Sequence, residues 1–280
     1  MQVRNKETFA AFKKRVDCEL MTHRVIEHND YTLWFANGEM SLDQLRNFTV
    51  QFSVFSNLFL IAQLKKMINS VDLEEMHNAK EILANEIGCI FRRTDSKGKR
   101  ALEKQLSNTE EEGDPKFVNT QGTVDGGVFK FQAAHFEWLI HFAEPLGLEF
   151  IDLGKRSKGN IKTLFFCDEL ERLYGNEDFN IAAGASFSVE NWAAAGFWTE
   201  LSNGIKIFRQ KQDIKLPLGF FTWHNKVEEQ HKQSTIEELE ALYFSEHDFD
   251  EELFLKSGKE MLEGVAAFWD GLNEDRLLIM

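Results

Sequence analysis

Residues 220–231 read Phe220-Phe221-Thr222-Trp223-His224-Asn225-Lys226-Val227-Glu228-Glu229-Gln230-His231. On a helix of about 3.6 residues per turn, positions i, i+4 and i+7 share a narrow stripe. His224, Glu228 and His231 fill that stripe, Phe220, Phe221 and Val227 widen it, and Glu229 points elsewhere. Two imidazoles and a carboxylate on one apolar face would be costly to bury unpaired. They are also the ligand types that suit iron or manganese with open positions. The bland alternative is a helix end carrying a solvated polar cluster.

Further ligands are sought among carboxylates and imidazoles on other apolar helical faces. Glu86 shares a stripe with Met76, Ala79, Leu83 and Ile90. Glu190 shares one with Phe187, Ala194, Phe197 and Leu201. His135 shares one with Val128, Phe131, Trp138, Leu139 and Phe142. Each residue alone is equally explained as a satisfied core or rim residue. Together the six give three carboxylates and three imidazoles, enough to nearly neutralise two ferrous ions.

The same periodicity runs through nearly the whole chain and predicts helices over 9–26, 41–67, 72–91, 128–146, 161–174, 187–208, 218–233, 236–244 and 251–272. Ser41 with Gln44 forms a capping box, and Asp72 with Glu75 opens the next helix. Only three prolines interrupt the 280 residues. No stretch gives a sustained alternation of β-branched residues. The expected class is all-α, a bundle of about eight helices in one domain spanning 1–280. A polar, glycine-bearing insertion at about 92–127 reads as either a disordered loop or a functional lid.

A net charge of −14 disfavours nucleic acid and anionic membrane surfaces as partners. Cys18, Cys89 and Cys167 form no C-x-x-C pair, which fits a reducing compartment. The first fourteen residues are too polar for a signal peptide. Polar residues at 51, 53, 56 and 57 break the most apolar window into a buried helix rather than a membrane span. The expected location is cytoplasmic, with a small-molecule substrate and an assembly left between monomer and homodimer.

These residues resemble the haem-oxygenase-like di-iron oxidases, the group that includes the chlamydial death-domain-associated protein and the alkene-forming fatty-acid decarboxylase. The likeness covers roughly 32–244. The segment Val189-Glu190-Asn191-Trp192-Ala193-Ala194-Ala195-Gly196-Phe197-Trp198 is similar to a largely cyanobacterial branch of that group. The resemblance implies Glu86, His135, Glu190, His224, Glu228 and His231 as ligands to two iron ions, or to a manganese–iron pair. O2 is then the co-substrate, and the oxidised molecule resembles an amino acid or a fatty acid. The outcomes implied are C–C or C–N cleavage, decarboxylation or N-oxygenation. One relative consumes its own tyrosine, which makes Tyr31, just before Trp34-Phe35-Ala36-Asn37-Gly38, a candidate catalytic residue. Two departures stand out. The acid between the last two histidines is usually Asp and here is Glu228, and the polar insertion separates Glu86 from His135.

Three other readings stay open. A ferritin-like site would use Glu-x-x-His at Glu74/His77 and Glu228/His231. A metal-free enzyme would use a cysteine or a bound organic cofactor, although Cys89 and Cys167 look more like buried small apolar residues than activated thiols. A non-catalytic protein would present its aromatic stripes to a partner, although such stripes are usually core. Trp138, Phe131, Phe197 and Phe221 suggest an apolar substrate, and Arg92 or Arg93 a partner for its carboxylate.

Overall fold

The capping box at Ser41 is present in the computed structural model: the Ser41 hydroxyl accepts from Gln44 N at 3.2 Å, and Gln44 Oε1 accepts from Ser41 N at 2.8 Å. The structure describes residues 4–93, 121–124, 127–131, 134–245 and 247–279. For residues 85, 90–93, 121–124, 127–131, 226–236 and 238 it describes the backbone alone. The helices are α1 (Lys6–Glu19), α2 (Arg24–Glu27), α3 (Asp30–Ala36), α4 (Leu42–Ile68), α5 (Leu73–Glu86), α6 (His135–Ala143), α7 (Ile161–Glu169), α8 (Phe179–Ala193), α9 (Phe197–Gln212), α10 (Gly219–Tyr243) and α11 (Glu251–Leu278). Together they form an all-helical bundle.

Helix α4, 27 residues and therefore roughly 40 Å long, crosses the middle of the bundle. Its Phe48 and Phe52 are fully buried against Phe220 and Phe221 of α10, Trp198 of α9 and Phe268 of α11. The polar residues that break its apolar run hold the chain between α6 and α7. Gln51 accepts from Asn160 N and donates to Lys158 O, Ser53 Oγ accepts from Gly154 N, and Asn57 donates to Gly154 O. Buried side chains that would otherwise lack partners thus clip a loop to the bundle. Among the described residues, no helix is long and apolar enough to cross a membrane.

Several elements differ from the expectation. Residues 89–93 and 127–131 are not helical but form β1 (Cys89–Arg93) and β3 (Gly127–Phe131), which with β2 (Gln121–Val124) make an antiparallel sheet ordered β1-β3-β2. Gly88, at φ 68°, ends α5 and turns the chain into β1. Cross-strand pairing, invisible to local periodicity, decided these segments. Residues 94–120, most of the polar insertion, lie outside the described residues.

The helix expected over 187–208 is two helices, α8 and α9, separated at Ala194–Gly196. Gly196, at φ 100°, adopts a backbone that other residues avoid. Conversely, 218–244 is one helix, α10, continuous through Ser234-Thr235. The helix over 9–26 is broken at 20–23 into α1 and α2, and α7 ends in a π-turn at Leu170–Tyr174.

Helix α11 packs closely on α8, and Gly184 sets the separation. A Cβ there would run into the Phe254 carbonyl oxygen, well inside van der Waals contact. We predict that Gly184→Ala lowers stability by about 1–3 kcal/mol through overpacking, because the obstacle is backbone and cannot rotate away. Urea melts followed by helical circular dichroism measure it, and a neutral or stabilising result contradicts the close crossing.

Candidate metal centre

The pairing of β1 with β3 closes the gap in sequence between Glu86 and His135. With Cys89 opposite Phe131, the end of α5 and the start of α6 are held side by side. The Glu86 carboxylate accepts from His135 Nδ1 at 2.9 Å across 49 positions of sequence. His135 is buried, and Trp138, Leu139 and Phe142 are buried with it on α6, as the stripe predicted. Val128 and Phe131 are not part of that stripe, since they lie on β3.

His224 sits beside this pair, its ring centroid 4.8 Å from that of His135. It is enclosed by aromatic rings: Trp198 stacks on it at 4.4 Å and 18°, Phe220 lies at 4.4 Å and Trp223 at 5.2 Å. Trp223 also packs on His135 at 4.5 Å, and Trp138 approaches His135 at 5.7 Å. His224 Nδ1 donates to the Phe220 carbonyl at 2.6 Å. A carbonyl only accepts, so Nδ1 carries the hydrogen and Nε2 the lone pair; the same logic applies to His135 Nδ1 against the Glu86 carboxylate. Oxygen acceptors at Nδ1 are the usual way metal-binding imidazoles are oriented.

Burial, and then the neighbouring His135, hold the pKa of His224 well below the ordinary imidazole range, against the Phe220 carbonyl, which raises it. The ring is neutral in the fold at neutral pH. In the unfolded chain it titrates near about 6.5, so below that pH the unfolded state binds more protons and stability falls as pH falls. We predict falling stability from pH 7.5 to 5, a window above the titration of the carboxylates. The slope is expected to flatten in His224→Gln, and equal slopes in both proteins would contradict the neutral buried ring.

Glu190 lies on α8, partly buried, within electrostatic reach of Tyr174. Tyr174 accepts from Gln63 Nε2 at 2.9 Å, and Lys66 Nζ lies 4.5 Å over its ring and 2.6 Å from Ser186 Oγ, one turn before Glu190. Phe197 and Leu201, expected on the stripe of Glu190, belong to α9 instead. Glu228 and His231 lie on α10, but their side chains are outside the described residues. Among the described residues, no group of three or more His, Cys, Asp or Glu draws together closely enough to hold a metal.

The donor chemistry nonetheless fits a metal. Two imidazoles with Nδ1 engaged on oxygen stand together, a carboxylate touches one of them, and the surrounding wall is apolar. Two of the aromatic residues forming that wall were not singled out as site residues by periodicity: Trp198 reaches His224 from α9, beyond the break after α8, and Trp223 packs across on His135 and Trp138 of α6. Phe197 and Phe221 lie one ring further out. The side chains of Phe131, Arg92 and Arg93 are outside the described residues.

Tyr31 is buried in a neighbouring aromatic layer, against Trp34, Phe35, Phe48 and Trp269. Phe48 and Phe221 stand on one route between it and the His224 neighbourhood, and Trp269, Phe197 and Trp198 on another. Glu74 and His77, the first half of a ferritin-like pair, are both exposed at the start of α5. Burial pushes the Cys167 thiol up to about 12, which is the wrong direction for a nucleophile.

The fold and the histidine pair define a helical bundle with donor side chains projecting inward from α5, α6 and α10. The chain shares this fold with a CADD-like protein of unknown function from Nostoc punctiforme PCC 73102. Against one crystal structure of that protein the TM-score is 0.62 at 12% identity, covering 96% of this chain and 99% of the other. Against a second crystal structure the TM-score is 0.60 at 12% identity, covering 97% and 96%. A TenA homologue from P. horikoshii OT3 superposes with a TM-score of 0.53 at 10% identity, covering 93% of this chain and 97% of the other. At these identities the likeness is one of fold. No protein-family model matches the sequence, and no curated protein matches it significantly.

Proposed function

We propose that the chain is an oxygen-activating non-haem enzyme with a dinuclear centre of two irons, or of manganese and iron. Glu86, His135, Glu190, His224, Glu228 and His231 would hold the metals. The observation that carries this reading is the pair His135 and His224, 4.8 Å apart, one hydrogen-bonded to Glu86 and the other to a backbone carbonyl within an aromatic wall. When bound, such a centre supplies electrons to O2 and so an oxidant for unactivated bonds.

The protein's own contribution follows from the wall. Trp138, Trp198, Phe220 and Trp223 shield the pair, of which His135 is buried and His224 partly buried, from much of the surrounding water and leave an apolar surface for a substrate's hydrocarbon part. The Glu86 carboxylate and the Phe220 carbonyl fix both rings by their Nδ1 hydrogens, so each Nε2 is presented without rearrangement of the tautomer. The low pKa of His224 keeps its ring neutral, so a metal would not compete with a proton there. An amino-acid- or fatty-acid-like small molecule is the substrate class this reading favours.

Oxygen uptake tests it. Protein reconstituted anaerobically with Fe(II) is expected to consume O2 faster than the same iron in buffer, whereas zinc-loaded and metal-free protein do not. Uptake no faster than that of free iron would contradict the assignment.

A further inference from the structure

The chain has six tryptophans, and ring contacts connect all six to the candidate histidine pair. Trp138 meets Trp223 at 5.7 Å, Trp223 meets His224 at 5.2 Å, and Trp198 stacks on the other side of His224 at 4.4 Å. From Trp198 the path runs through Phe197 at 4.6 Å to Trp269 at 5.5 Å, with Trp192 stacked on Phe197 at 4.8 Å. Trp269 lies 5.7 Å from Tyr31, which lies 5.4 Å from Trp34. Trp34 is half-buried beneath the Arg276 guanidinium at 4.3 Å, and Trp223 is half-buried at the opposite end. With twenty-six phenylalanines available to fill a core, packing alone does not call for the oxidisable rings to lie this close to one another, with Phe197 as the one ring bridging Trp198 and Trp269.

We infer that this chain of rings is an electron conduit between the His135–His224 pair and the surface at Trp34. Its natural use rests on the proposed function: an oxygen-derived oxidant at the histidines takes one electron from Trp198, and the vacancy passes through Trp269 and Tyr31 to Trp34. There a soluble one-electron reductant, such as a thiol or ascorbate, refills it. Trp192, Trp198 and Trp269 have buried indole Nε1 atoms with no hydrogen-bond acceptor among the described residues. Their oxidised rings therefore keep the proton, and the hop between them moves an electron alone. At Tyr31 the electron leaves with the phenolic proton, which passes to water, the Asp275 carboxylate being within electrostatic reach of the ring, and returns from water when the ring is refilled. The conduit would spare the site from self-oxidation when no substrate is bound.

The test needs no metal, so its failure is separate from that of the iron reading. Pulse radiolysis with azide radical oxidises tryptophan, azide radical becoming azide as it takes the electron. In the wild type the tryptophanyl band is expected to decay as the tyrosyl band grows, at a rate independent of protein concentration. Tyr31→Phe loses that conversion, whereas Tyr174→Phe and Tyr243→Phe retain it. In Trp34→Phe, vacancies enter at Trp223 and must travel the full path, so conversion persists more slowly. Adding Trp269→Phe to Trp34→Phe then abolishes it. These exchanges keep an aromatic ring, and circular dichroism confirms the fold. No conversion in the wild type, conversion surviving in Tyr31→Phe, or its abolition by Trp34→Phe alone would each overturn the conduit.

Discussion

Titrated anaerobically with Fe(II), the metal-free protein is expected to bind about two irons per chain, and His224→Ala to lose at least about 100-fold in affinity. The magnitude follows from position. His224 offers Nε2 from a ring whose other nitrogen is fixed on Phe220 O at 2.6 Å, so removing it removes a preorganised donor. Loss of an outer partner already costs about 10–100-fold, and loss of the ligand itself exceeds that. Glu190→Ala is expected to behave likewise. His141→Ala is the control: it lies on α6 with His135, but its Nδ1 engages Glu144 at 3.3 Å near the surface. Equilibrium dialysis with metal analysis reads all three. Weakening by His141→Ala equal to that by His224→Ala would mean surface adsorption rather than a site.

Truncating Trp198 is expected to produce the largest loss of stability near the site. Its side chain is buried at the crossing of α9 with α4 and α10, touching Phe52, Phe197, Phe220 and His224. Trp198→Ala removes that volume from three helices and should cost about 3–5 kcal/mol. Trp198→Phe keeps a ring on His224 and should cost much less. A second readout separates packing from the site. With the indole gone, water reaches His224 and its pKa, held down chiefly by burial, rises toward the ordinary imidazole range. Urea melts and histidine NMR titration measure the two effects. A cost below about 1 kcal/mol, or an unmoved His224 pKa, would contradict the stacked geometry.

The helical class was legible because it rests on local periodicity. Ser41 and Gln44 announced α4 through capping chemistry that acts within one turn, and Gln51, Ser53 and Asn57 marked a buried helix rather than a membrane span. What was not legible depended on distant partners. Residues 128–131 read as helix because Val128 and Phe131 fit a stripe with His135; the pairing of 127–131 with 89–93 and 121–124 carries no local signal. The break between α8 and α9 turned on Gly196, whose φ of 100° no spacing of apolar residues foretells.

The candidate site divides in the same way. His224 was found from its own helix, and Glu86 with His135 from stripes on theirs. Their meeting across 49 positions is set by the β1–β3 register. Trp198 and Trp223 were missed as the wall of the histidine pair, because the packing of Trp198 on α10 and of Trp223 on α6 is a property of the assembled bundle. Tyr31, proposed through resemblance alone, lies one aromatic layer from His224, which makes relayed electron transfer a better role for it than contact with a bound molecule.

The most direct measurement is anomalous diffraction at the iron edge from crystals grown anaerobically with Fe(II). The assignment predicts two peaks about 4 Å apart, bounded by His135 and His224 and by carboxylates from α5 and α8. Peaks confined to the surface, or a histidine pair that stays closed on Glu86 and Phe220 O with no metal beside it, would contradict it.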